Sequence, residues 1–336
     1  MFGTFFDKVT GLFDRRFVLG LLLPTFVFFA GAGALVATDA GWTQTISWWQ
    51  YLGTSRQVAL AVATAAGLVF AATVLGTQVV AITRVFEGYW RWGWADKTVG
   101  AVGRRWQRHR LTQLANDASA MGYLREYLAF APAELGAVLP TRLGNTLRAA
   151  ESYPGDPERW GLDAVFWWPR LYLIIPDGAR AQVDEARASM DQMVVLSALS
   201  VMFAAVAAGF GIAGLPLAVW APCCVGGLAL SWLTYRAAVT SAAGFGDLVR
   251  SCFDLFRGDL LTQLGWPLPD KLPDERALWG ALGQQLYRRG TNSRDQELIN
   301  APRTDSRAAP QGPERVRPGR LRRFLHHAFG GRPFSD

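Results

Sequence analysis

Apolar residues run uninterrupted by Asp, Glu, Lys, Arg or His over residues 17–38, 57–83 and 192–235. A helix needs about 20 such residues to cross roughly 30 Å of hydrocarbon, so 17–37 and 58–83 each predict one membrane span. The third interval has room for two, with Gly214-Leu215-Pro216 near its middle. A glycine can close one helix and a proline open the next, which predicts a tight hairpin joining 193–214 to 217–235. The pattern therefore predicts an all-α integral membrane protein with four transmembrane helices plus a helical cytosolic domain.

Outside these intervals the periodicity is amphipathic. Phe2, Phe5, Phe6, Val9, Leu12 and Phe13 recur at helical spacing among Asp7, Lys8 and Asp14, predicting an interfacial amphipathic helix over 1–16 that lies on the inner leaflet or packs on the chain's own domain. Residues 17–83 then form transmembrane helices 1 and 2 with a short outer loop. Residues 84–191 read as a cytosolic helical domain: Leu111 and Leu114, then Leu124, Tyr127 and Leu128, fall at apolar helical spacings. Pro132, Pro140, Pro154, Pro157, Pro169 and Pro176 keep its helices short.

Thr141, following Pro140, marks the start of a helix over 141–152, and Asp177 is the expected N-cap of an Ala-rich helix in which Arg180–Asp184 and Asp184–Arg187 are spaced to pair. No breaker separates that helix from the third span, so a continuous helix over 178–214 would be a rod about 55 Å long. Beyond the hairpin of helices 3 and 4 (192–235), residues 236–289 predict further cytosolic helices. Leu248, Val249, Cys252, Phe253, Phe256 and Leu260 form one stripe of a helix expected to fold back on the domain, Trp266-Pro267-Leu268-Pro269 ends it, and Pro273 opens a last helix to about Arg289. Residues 290–336 are polar, rich in proline and without period, a disordered basic tail whose Arg320-Leu321-Arg322-Arg323-Phe324-Leu325-His326-His327 suits anionic lipid or an acidic partner.

Composition agrees with the pattern. Of 336 residues only 18% are charged and 51% are hydrophobic, against about 25% charged in soluble domains. The 34 Lys and Arg exceed the 27 Asp and Glu, for a net charge of +7, and where they fall sets an orientation. Lys8, Arg15 and Arg16 precede the first span, and Arg84, Arg91, Lys97, Arg104, Arg105, Arg108 and Arg110 follow the second, while the loop between holds Arg56 and Asp39 alone. The positive-inside rule places both termini in the cytoplasm, and the expected setting is a bacterial inner (cytoplasmic) membrane. Trp42, Trp48, Trp49 and Tyr51 on one side and Tyr89, Trp90, Trp92 and Trp94 on the other fit interfacial belts. A cleaved signal ending at Ala32-Gly33-Ala34 is the competing reading of the first span, but its apolar core is longer than such signals carry. The basic run after the second span is explained by topology and anionic headgroups, without nucleic acid as a partner.

Candidate chemistry is sparse. Cys223, Cys224 and Cys252 are the only cysteines, which excludes a disulfide framework and a four-thiolate zinc site. His109, His326 and His327 are the only histidines and sit near no nucleophile, so no metal, no cofactor and no catalytic triad is expected. The spans carry small-residue faces, Ala63, Gly67 and Ala71 in the second, Ala205, Gly209 and Ala213 in the third, and Gly226, Gly227 and Ala229 in the fourth, expected to pack helices within the chain or against a second copy.

One stretch is dense in charges, aromatics and rigid backbone: Leu139-Pro140-Thr141-Arg142-Leu143-Gly144-Asn145, then Glu151, Tyr153, Asp156, Arg159, Gly161, Asp163 and Trp167-Trp168-Pro169-Arg170-Leu171. Arg142, Arg148, Arg159 and Arg170 could hold an anion such as phosphate or a lipid headgroup, or could be structural partners of caps and carboxylates. From Leu139 to the third span the chain resembles a recurring segment of uncharacterised bacterial multi-pass membrane proteins, a resemblance that implies no activity.

Three functions are expected from these features. The leading one is non-enzymatic, a membrane-anchored scaffold or signalling component whose cytosolic domain binds a protein partner or anionic ligand. The second is a homo-oligomeric regulated pore, with Thr25, Thr64, Thr73, Thr77 and Gln78 as lining candidates. The third is a lipid-modifying enzyme at the inner leaflet using Glu134, Glu151, Asp156 or Asp163.

Overall fold

The computed structural model describes residues 17–90, 93–116 and 138–287; among them 86% are helical and none is in a strand. Four helices are long and apolar enough to cross a membrane: Val18–Ala40, Gly53–Glu87, Asp177–Ala213 and Leu217–Gln263. The first has a π-helical entry, Val18–Leu22, leading into α1 (Leu23–Ala40). Its cause is local. Pro24 has no N–H to give the preceding turn, and the Leu23 N–H reaches back to the Val18 carbonyl instead.

Gly41, with φ at 90°, turns the chain into α2 (Trp42–Tyr51), and α3 (Gly53–Glu87) follows. The aromatic-rich loop between the first two apolar helices is thus itself a helix. A π-helical turn, Asp96–Gly100, leads into α4 (Ala101–Asn116). Two short helices come next, α5 (Arg142–Ser152) and α6 (Ala164–Ile174). The long pair α7 (Asp177–Ala213) and α8 (Leu217–Gln263) and the closing α9 (Leu272–Tyr287) complete the order.

The hairpin between α7 and α8 forms where the sequence predicts it. Gly214 takes a left-handed φ of 112° and the Leu215 N–H caps the Phe210 carbonyl at 3.0 Å, an end that a residue with a Cβ would strain. The expectation of a separate fold-back helix after the fourth span is corrected: α8 runs unbroken for 47 residues, about 70 Å. Nothing between Arg236 and Asp247 interrupts it, and Ala238, Val239 and Ala242 bury against Met190 and Val194 of α7. Gly265, at φ 86°, ends it, with the Trp266 N–H returning to the Leu261 carbonyl at 2.9 Å.

Three apolar clusters stack along the α7–α8 pair. Leu35 of α1 packs with Ala207 and Leu215 near the hairpin turn. Midway, Leu143 and Leu147 of α5 meet both long helices, with Ile82 and Phe86 of α3 against them. At the far end Trp167, Phe253 and Trp279 centre the largest cluster, which joins α6 and α9 to the last turns of α8. Burying three large aromatics is worth several kcal/mol of transfer free energy, and the edge-on Trp167–Trp279 contact at 4.8 Å fixes α6 against α9.

Small residues permit close approach at particular points. A Cβ on Gly227 would lie 3.0 Å from the Ser200 carbonyl oxygen, and one on Gly31 would lie 2.9 Å from the Phe203 ring. Of the small-residue faces expected from sequence, the fourth helix's supplies Gly227, with Gly226 and Ala229 exposed beside it; in the second and third, Ala63, Gly67, Ala205, Gly209 and Ala213 are exposed, Ala71 is half-buried, and a Cβ on Gly67 or Gly209 would meet nothing within 4 Å.

The start of α7 also departs from expectation. Pro176 occupies the cap position and Asp177 is the first helical residue. Arg180 pairs with Asp177 at 3.4 Å and Arg187 with Asp191 at 3.1 Å, because Asp184 is taken by the Tyr172 hydroxyl, which donates to it at 2.6 Å. The 1–16 helix, Leu124, Tyr127, Leu128 and the 290–336 tail lie outside the described residues.

Candidate functional site

The stretch from Leu139 to Leu171 divides into two halves with different surroundings. In the first, the backbone before α5 is held by one buried side chain: Asn145 accepts from the Leu139 N–H at 2.7 Å and donates to the Leu139 carbonyl at 3.0 Å. Thr141 caps α5, its Oγ1 accepting from the Gly144 N–H at 3.1 Å while donating to the Glu87 carbonyl at 2.8 Å. Gly144 sits directly against that same carbonyl, where no Cβ would fit. Tyr235 of α8 accepts from the Leu143 N–H at 3.3 Å. The Pro-Thr-Arg-Leu-Gly-Asn run therefore latches α5 onto the end of α3 and onto α8, meeting orphan backbone groups at two helix ends.

The second half builds the large cluster. Asp163 caps α6 through the Val165 and Phe166 N–H groups at 3.0 and 3.3 Å, and Asp156 accepts from the Glu158 N–H at 2.8 Å. Tyr153 donates to Asp254 of α8 at 3.0 Å; partial burial first, then that bond, hold its hydroxyl above the ordinary tyrosine range. Buried Glu275 accepts from Arg257 at 2.9 Å and from the Trp279 ring N–H at 3.3 Å. Asp254, Arg257, Glu275 and Trp279 were not singled out from sequence. Nothing local marks them, since their partners lie on other helices or on another turn.

The four candidate arginines do not share a partner in these contacts. Arg159 lies 3.9 Å over the Tyr153 ring, and its carbonyl accepts from Arg276 at 2.9 and 3.1 Å. Arg170 lies 3.9 Å over the Phe166 ring and donates to the Phe166 carbonyl at 2.7 Å. Arg142 opens α5, beside Tyr235, and Arg148 faces Glu151 one turn on in the same helix. Such stacked guanidiniums serve packing as well as charge.

Beside the latch lies an open groove of about 1140 Å³ along the end of α3. Val80, Ala81 and Val85 give it apolar lining, Arg84, Glu87 and Glu151 supply charge, and Tyr89 and Trp90 line it as well. Among the described residues none of those three charged side chains makes an ion pair or a side-chain hydrogen bond. Partial burial, helped by Asp163 and opposed by Arg148, holds the Glu151 carboxyl above the usual range. Sequence patterning reads Arg84 as a topology signal and Glu87 as no more than a counter-charge to the basic run; the groove appears only when α5 docks.

Among the described residues there is no group of three or more His, Cys, Asp or Glu arranged for a metal ion. The hydroxyls considered for a pore turn back on their own helices: Thr25 to the Leu21 carbonyl at 2.6 Å, Thr64 to Leu60 and Thr73 to Val69 at 2.8 Å, Thr77 to Val74 at 2.7 Å. Gln78 donates to the Thr77 hydroxyl at 3.2 Å. Of the enzyme candidates, Asp156 and Asp163 serve turns and caps, Glu151 lines the groove, and Glu134 lies outside the described residues. No family model, no curated protein and no solved structure matches the chain.

Proposed function

We propose that this chain is a membrane-anchored scaffold or signalling component of a bacterial inner membrane, its termini cytoplasmic, whose helical head binds a protein partner and is rigidly joined to its anchor. The observation that carries the reading is the continuity of α7 and α8, each unbroken from the hairpin turn at Gly214 into the cluster around Phe253. Two packed helices without a hinge transmit tilt or displacement between membrane and head. A flexible linker would not.

The head also offers a surface suited to a partner. Val165, Pro169 and Leu173 fall on one face of α6, and Val165 and Leu173 are 69% and 76% exposed. Replacing both, as Val165→Asp with Leu173→Asp, is expected to remove a stoichiometric co-purifying protein from the detergent-solubilised full chain while leaving its melting temperature within a few degrees. If wild type and variant retain the same set of proteins, the reading fails.

One observation favours the second reading, the homo-oligomeric pore. Only 6% of the apolar window of α3 is buried within the chain, so the face carrying Ala63 and Gly67 is free to meet a second copy. Native mass and ion flux measured on the same liposomes test it; flux that scales with an oligomer would displace the scaffold reading.

A further inference from the structure

We propose that α4 and the π-helical turn before it lie in the headgroup plane of the leaflet where α3 ends, with Val99, Val102 and Trp106 dipping among anionic lipids whose phosphates are held by Lys97, Arg105 and Arg108. The inference rests on the four apolar helices lying in a bilayer and not on what the head binds.

Gly88 caps α3, directly after Arg84 and Glu87, the first charges beyond the apolar run of 57–83. A Cβ on Gly88 would overlap the Pro140 ring, and one on Gly103 of α4 would lie 2.7 Å from the Pro140 carbonyl oxygen. Buried Pro140 is thus clamped between two glycines, and their bare backbones hold α4 one residue's width from the end of the span. That is headgroup depth for a helix whose apolar run crosses the hydrocarbon.

The face that α4 leaves outside is amphipathic. Gly100, Gln107 and Leu111 are buried, whereas Val99, Val102 and Trp106, at intervals of three and four, are 57%, 70% and 58% exposed. An exposed apolar row of this kind marks an interaction surface, and an exposed Trp beside a span is favoured at the membrane interface. Lys97, Arg105 and Arg108 are exposed around the row.

Charge names what covers the row. Over residues 93–116, Lys97, Arg104, Arg105, Arg108 and Arg110 stand against Asp96 as the one acid, and Asp96 already accepts from Arg104 at 2.5 Å. The surplus is positive, and its exposed members complement anionic headgroups while the Val–Trp row complements the acyl boundary just beneath them. An acidic protein segment would answer the arginines and not the apolar row. An anionic leaflet answers both, and it continues the surface that α3 has already entered.

A fluorophore on Val102→Cys of the full chain, in nanodiscs of equal phosphatidylglycerol and phosphatidylcholine, tests this by contact quenching with one lipid or the other brominated high in its acyl chains. Wild type carried through the same labelling supplies the blank for Cys223, Cys224 and Cys252. Brominated phosphatidylglycerol should quench about fivefold more than brominated phosphatidylcholine. Arg105→Gln with Arg108→Gln should abolish that preference; both side chains are exposed, so the fold is kept, which the melting temperature verifies. A probe on exposed Thr262→Cys, in the last turn of α8, should be quenched by neither lipid. No quenching at residue 102, equal quenching there by the two lipids, a preference that survives the double variant, or quenching at residue 262 to match would each overturn the proposal. The two premises fail separately: a chain that does not enter the discs sinks the bilayer reading itself, whereas one that enters them without quenching at residue 102 sinks only the seating of α4.

Discussion

Gln192 of α7 donates its side-chain amide to the carbonyl of Leu19, 173 positions earlier, at 3.1 Å. That carbonyl belongs to the π-helical entry of the first apolar helix, where the residue five places on, which would donate in this register, is Pro24. A side chain from a neighbouring helix supplies the hydrogen bond that the proline withholds.

Gln192→Ala should therefore lower stability by about 1–2 kcal/mol by orphaning one carbonyl. Pro24→Ala restores an N–H, so it should cost less in the Gln192→Ala background than in wild type. Thermal unfolding of the four proteins of the cycle checks this, and additive losses would show the two sites to be uncoupled.

Asn145 carries two bonds of the latch, so Asn145→Ala leaves both the N–H and the carbonyl of Leu139 without partners. A loss of about 2–4 kcal/mol is expected. The damage should be local, at the junction of α5 with α3 and α8. Hydrogen exchange should report faster opening over 138–152 and little change around Trp167 and Trp279.

Glu151 gives a pH dependence whose sign is fixed by the direction of its shift. Its folded carboxyl binds a proton more tightly than the ordinary 4.5 of the free group, so its contribution is fully present below that value and is lost as pH rises through the raised one. Glu151→Gln should thus match wild type in acid and gain on it toward neutrality. Melting temperatures from about pH 4 to about pH 8 should show the gap widening with pH; a constant gap would place the carboxyl in ordinary water.

Two glycines of α8 should respond with opposite signs to a methyl group. A Cβ on Gly244 meets nothing within 4 Å, so Gly244→Ala should add about 0.5–1 kcal/mol through helix propensity. Gly227 faces the Ser200 carbonyl, and Gly227→Ala should cost about 1–3 kcal/mol by pushing α7 and α8 apart. Unfolding of the two variants side by side checks both.

How much of the candidate stretch was legible follows from the range of the forces involved. The Thr141 cap, the Gly214 turn and the Pro273 start are decided within four or five residues, and sequence predicts all three. The fold-back after the fourth span was misread because an apolar stripe does not say whether its helix continues the one before. The pairing of Asp184 was misread because Tyr172, from the preceding helix, outcompetes Arg180 and Arg187 for it.

The sequence by itself determined the all-helical character, the four apolar stretches and local turns such as that at Gly214, since these depend on composition and on neighbours along the chain. Tertiary structure alone decided that Thr141 bonds the Glu87 carbonyl 54 positions away, that Tyr153 bonds Asp254 across 101, and that Gln192 replaces the donor missing at Pro24. It also decided that Arg84, Glu87 and Glu151 line one groove. A hydrogen bond or charge contact is felt over a few ångströms of space, and which residues come that close is set by helix packing, to which no local pattern of polar and apolar positions refers.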